Sequence, residues 1–193
     1  EGDPRGMEQR YLCFALFNQR NGLLGRSLEG VDREELFEAV RAGLLNDDGR
    51  ARESIGSVYK QLSFEDLEPI MPEIHQAILE PAPSGIMFAD GIRLQGMELL
   101  ARHHVREGLP LCLELVAPDR WGMGNRIERC LDALREYGGA ARSEIPRLRA
   151  LQADLVERRW NAERLAKLDI PGRIAEIEGA ETPPLRELPG TDA

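Results

Sequence analysis

A large apolar residue followed by proline recurs three times in this chain: Met71-Pro72, Leu109-Pro110 and Ile145-Pro146, at intervals of 38 and 36 residues. Three positions beyond each apolar partner stands another apolar residue: Ile74, Cys112 and Leu148. Proline suits the first turn of a helix, where the amide N–H groups have no intrahelical acceptor, and breaks a helix interior. The recurrence therefore marks recurring helix starts; Pro69 leaves the start ambiguous in the first copy. Ahead of each lies a segment that itself reads as a helix opening near an arginine: 50–62 with Arg52, 91–104 with Arg93, and 124–138 with Arg126. Ile55, Val58, Tyr59 and Leu62 fall at i, i+3, i+4 and i+7, and Ile127, Cys130, Leu131 and Leu134 repeat that spacing. Leu94, Met97, Ala101 and His104 follow it less closely.

Helix pairs at a period of about 37 residues predict an α-solenoid, in which each pair buries its apolar face against the next. Aromatic residues make up only 5% of the chain, and Leu, Ala, Glu and Arg dominate, which favours helix over strand. The expected fold is all-α: a short right-handed α-solenoid of about three helix pairs with a helical N-terminal cap. It is read as one domain over 1–193. Residues 7–45 form the cap, 46–155 the three repeats, and 156–193 a C-terminal helix and a proline-rich tail. In the cap, Tyr11, Leu12, Ala15 and Leu16 share a helical face, and Cys13, Phe14 and Phe17 add a second stripe. Asp32 is placed to cap the helix 33–45, with Glu35 where a capping box needs it and Leu36, Ala39, Val40 and Leu44 facing inward. After Leu155 the periodicity decays; 170–179 reads as a last short turn and 180–193 as exposed chain.

The connection "EPAPSGIMFADGIR" (80–93) holds more apolar bulk than a turn requires. Pro81 and Pro83 stop the preceding helix near Leu79, Gly85 permits a turn, and Ile86, Met87 and Phe88 are read as a plug between stacked pairs. The alternative is a ligand loop, since loops carry function more often than cores do. The matching connection 117–126 offers Trp121 and Met123.

With the arginine of each first helix and the apolar-Pro step of each second, residues 46–155 resemble HEAT-type repeats, which implies fold and not function. More narrowly, "SLEGVDREELFEAVRAGLLNDDGRARESIGSVY" together with "EPAPSGIMFADGIR" resembles the helical C-terminal part of a family of large, multi-domain, uncharacterised proteins from planctomycete-type bacteria. That resemblance implies a helical module beside other domains, in a parent that is exported. It supplies no catalytic residues to carry over.

A formal net charge of −9 argues against neutralising nucleic-acid phosphates. Arg147, Arg149, Arg158 and Arg159 form a local basic patch, but Glu144, Asp154 and Glu157 interleave with them, as on a solvated, salt-bridged face. No apolar run approaches the 18 residues of a membrane span, and the opening residue Glu1 is read as the start of a processed or excised piece. Cys13, Cys112 and Cys130 include no CxxC pair and lie in apolar patterns; as buried free thiols they lean toward a reducing, cytoplasmic compartment, against the exported parent that the resemblance implies. Localisation stays open between the two.

No phosphate loop or nucleophile elbow is present. Adjacent His103 and His104 point about 100° apart on a helix and cannot readily share a metal, though His75 and Cys112 on neighbouring helices could complete a composite site. The acids Asp47, Asp48 and Glu53, and Glu65, Asp66 and Glu68, sit at helix starts, where capping accounts for them. The resulting expectation is a non-catalytic interaction module without cofactor or metal, holding a protein, a peptide or a neighbouring domain. Neither nucleic acid nor membrane is an expected partner. Met87, Phe88, Asp90, Arg93 and Trp121 are the candidate contact residues. The alternative is an accessory helical domain that completes an enzyme's site.

Overall fold

In a computed structural model of the chain, the structure describes residues 7–18, 22–24, 27–84, 88–119 and 125–188. The regular structure of these residues is helical, with no strand among them; two isolated bridges, Asp48 with Ser84 and Val105 with Arg186, are the extended pairings. The α-helices are α1 (Met7–Phe17), α2 (Arg33–Leu44), α3 (Gly49–Ile55), α4 (Phe64–Leu67), α5 (Met71–Leu79), α6 (Ala89–Arg102), α7 (Gly108–Glu114), α8 (Arg126–Glu136), α9 (Ile145–Glu157), α10 (Ala162–Leu168) and α11 (Ile170–Gly179). The chain divides into two compact units, one of residues 1–99 with 188–193 and one of 100–187.

In the first unit α1 and α2 both pack on α3, and α2 also meets α5. Phe17, Leu36, Val40, Leu44, Ile55, Leu67, Met71 and Ile78 fill the core. Asp32 caps α2 by accepting the Glu34 and Glu35 amides, as its position predicts. Asp48 caps α3 in the same way through Arg50 and Ala51, and Ser63 with Asp66 closes a capping box on α4. Of the acids at 47–53 and 65–68 read as caps, Asp48 and Asp66 are spent on helix ends in this way. Ile55, Val58, Tyr59 and Leu62 are all buried, but the helix predicted over 50–62 is broken. It ends at Ile55, turns at Gly56, and resumes as a 3-10 turn over Tyr59–Gln61.

In the second unit α8 is met by α7, α10 and α11, and α11 also lies against α9. Its core includes Val105, Leu111, Cys112, Cys130, Leu134, Tyr137, Leu148 and Ile174. Tyr137 is fully buried, and its hydroxyl donates to the Val105 carbonyl at 2.7 Å. All three marked prolines lie in the first turn of α5, α7 or α9, and a fourth step, Ile170-Pro171, opens α11. The segment read as a last short turn is thus a ten-residue helix with Ile170, Ile174 and Ile177 buried. The segment read as exposed chain is bonded through its backbone at least as far as Arg186. Gly139 N–H donates to Glu181 O, Arg106 N–H to Arg186 O, and Arg186 N–H to His104 O.

The arginines named for the repeat share one geometry, each donating through Nε to a carbonyl at the end of a preceding helix or just past it. Arg52 reaches Asn46 O at 2.6 Å, Arg93 reaches Ile78 O at 2.6 Å, and Arg126 reaches Leu115 O at 3.0 Å. Arg173 adds a fourth case on Leu168 O at 2.7 Å. The last carbonyls of a helix have no intrahelical donor, so each arginine supplies one and ties a helix to the end of another. Arg52 adds Glu80 O, and Arg126 adds Ala117 O.

Candidate functional site

The residues predicted for contact scatter in their roles. Met87 and Trp121, with Gly85, Ile86 and Met123, lie outside the described residues. Asp90 is only 4% exposed, in the first turn of α6. Arg93 holds the end of α5 through the Ile78 carbonyl. Phe88, just before α6, lines a pocket.

That pocket lies in the first unit and has a volume of about 290 Å³. Arg50, the second residue of α3, lines it. The guanidinium carbon lies 5.3 Å from the centroid of the Phe14 ring, offered by α1, and 5.4 Å from that of Phe88. An arginine between two rings is held by cation–π attraction and by the poor hydration of guanidinium faces. Asn18, Glu53 and Gln95 add polar groups to the wall, with Ser54 and Ser57. Ser54 donates its hydroxyl proton to Arg50 O, and Ser57 donates to Phe17 O. A carbonyl oxygen accepts the hydroxyl hydrogen but cannot take up the proton as a general base does, so these bonds do not activate either serine.

A second hollow runs between α1 and α2 in the same unit. Leu12, Leu16, Phe17, Ala39, Ala42 and Gly43 line it, and its wall is almost wholly apolar. Beside it α1 leaves Tyr11 at 66% and Leu12 at 58% exposure. The sequence showed two apolar stripes on this helix; of the stripe Cys13, Phe14 and Phe17 the first and last are buried, while Phe14, with Tyr11 and Leu12 of the other stripe, remains in contact with solvent.

Burial pushes the Cys13 thiol up from its ordinary value. Burial raises Cys112 well above it, with Cys130 and Glu144 acting in the same direction. All three cysteines are buried, and none is in a disulfide. His104 ends α6 in the left-handed conformation at φ 53°, and its Nε2 lies 3.1 Å from the Glu136 carbonyl. Among the described residues no group of three His, Cys, Asp or Glu side chains is arranged to hold a metal ion. Three of the four arginines of the basic patch are paired: Arg147 with Glu144 at 2.8 Å, Arg149 with Glu178 at 3.4 Å, and Arg158 with Asp154 and Asp119. No described helix is long and apolar enough to cross a membrane. Comparison with protein-family models, curated proteins and solved structures finds no match to this chain.

Proposed function

We propose that the chain is a non-catalytic, HEAT-like helical-repeat module that binds a peptide segment, carried by a separate protein or by a neighbouring domain of a longer parent. The observation that carries this is the face of α1: Tyr11 and Leu12 stand in solvent beside an apolar hollow, and Phe14 on the same helix enters the Arg50 pocket. Large apolar side chains grouped with an aromatic-stacked arginine have the composition of an interface centre. The repeat reading is supported by the arginines that hold helix ends and by the proline-led helices. An α-solenoid offers its helix faces as a continuous surface, which suits an extended partner.

The test is selection of displayed peptides on the purified chain, followed by affinity measurement on synthetic copies by fluorescence anisotropy. The double variant Tyr11→Ser, Leu12→Ser is expected to weaken selected peptides at least tenfold. Val156→Ser, at another exposed apolar residue, is expected to leave them unchanged. Failure to enrich any sequence, or binding indifferent to the α1 face, refutes the proposal.

A further inference from the structure

We infer that the Arg50 pocket receives a carboxylate, carried by the chain end of the bound peptide; the peptide origin rests on the function proposed above, and the carboxylate on the pocket alone. A guanidinium has two flat faces and an edge bearing five N–H donors. At Arg50 the guanidinium carbon stands over the rings of Phe14 and Phe88. Neither ring offers an oxygen or nitrogen acceptor, so the N–H donors are left to a ligand. Among the described residues no carboxylate or carbonyl accepts a hydrogen bond from this guanidinium, although Arg52 two positions on uses its own on two carbonyls. Parallel N–H donors on a planar edge match the two oxygens of a carboxylate.

Charge and size choose between anions. Glu53 lines the same pocket and the chain carries a formal charge of −9, so a dianion such as phosphate meets more repulsion than a singly charged carboxylate. The volume, about 290 Å³, lies at the small end of ligand sites and suits one residue rather than a nucleotide.

The test is a titration of the full ¹⁵N-labelled chain, read at the arginine Nε–Hε signals, at low salt and neutral pH. The probes are N-acetyl-Gly-Gly-Leu as the free acid, the same tripeptide as its C-terminal amide, sodium acetate and inorganic phosphate. The expected result is a shift of the Arg50 signal by the free acid, with affinity at least tenfold above the amide and above phosphate. Arg50→Gln is expected to lose at least tenfold, and Arg50→Lys to lose part, because an ammonium cannot present the planar edge. The probe comparison on the native protein stands if either variant fails to fold. Equal binding of acid and amide, a preference for phosphate, or no shift at Arg50 overturns the proposal. Acetate binding as tightly as the tripeptide overturns the peptide source. Should the carboxylate fail here while displayed peptides still depend on Tyr11 and Leu12, the interaction module stands and only this site assignment falls.

Discussion

Replacing Arg52 by methionine keeps the aliphatic stem and removes the donors that tie α3 to two helix ends. The side chain is 8% exposed, and it donates to Asn46 O at 2.6 Å and to Glu80 O at 2.8 Å. Burial disfavours its charge, and Asp47 and Glu80 act in the opposite direction. Asn46 is buried, so its carbonyl loses a donor that water cannot readily replace; Glu80 is exposed, so its carbonyl is rehydrated. A hydrogen bond involving a charged group contributes about 1.5–3 kcal/mol, and an orphaned buried acceptor costs a similar amount. Counting the buried bond in full and little for the exposed one, Arg52→Met is expected to lose about 2–3 kcal/mol. With a urea slope of about 2 kcal/mol/M, the unfolding midpoint followed by circular dichroism at 222 nm falls by roughly 1 M. Arg52→Lys should fall between, since one ammonium cannot span both carbonyls in the same geometry. Arg149→Met, at an exposed arginine, should leave the midpoint unchanged. A loss below about 0.5 kcal/mol for Arg52→Met, within the range of ordinary surface substitutions, would refute the reasoning.

Gly43→Ala places a methyl group 2.5 Å from Ile55 Cδ1, whereas Gly179→Ala meets nothing within 4 Å. The first should destabilise by about 1–2 kcal/mol, overpacking offset by helix propensity, and the second should stabilise slightly; equal signs in thermal melts would contradict the packing of α2 on α3. Tyr137→Phe removes the bond to Val105 O, which keeps its bond from the Gly108 amide, so the expected loss is about 1 kcal/mol by urea titration and an unchanged midpoint would argue against that bond. The raised thiols of Cys13 and Cys112 hold their protons in the folded chain while the unfolded chain releases them. Their contribution is present below the unfolded thiol value of about 8.5 and is lost as pH rises through the folded values, so the urea midpoint should fall between pH 8 and pH 10. Serine at both positions should flatten that slope relative to the parent chain; an identical slope would show that the thiols do not drive it.

The helical class was legible because proline in a first turn and apolar residues at helical spacing are local signals. Ile170-Pro171 carries the same signal, but only 25 residues after Ile145-Pro146 and directly ahead of Gly172, so it falls outside the period and reads as a turn. Asp169 rescues it, closing α10 in the left-handed conformation at φ 42° and accepting the Gly172 amide. The binding of 180–188 was illegible because much of it is made by main-chain groups, which every sequence possesses equally. The work of Arg52, Arg93 and Arg126 could have been suspected from usage: of 25 basic residues only Lys60 and Lys167 are lysine, and a guanidinium can serve two carbonyls where an ammonium cannot. At the pocket, Phe88 was found because apolar bulk in a loop is conspicuous. Phe14 stood out only as part of a second apolar stripe, and nothing in the sequence around Arg50 singles it out. Only the packing of α1 on α3 brings them together.

The central structural claim is that Arg52, Arg93, Arg126 and Arg173 each hold a carbonyl at or just past a helix end through the same atom, Nε. Hydrogen exchange at the assigned arginine Nε–Hε groups of the ¹⁵N-labelled chain tests it directly. These four should exchange far more slowly than Arg147 and Arg149, whose side chains are exposed. Exchange at the four as fast as at those two would contradict it.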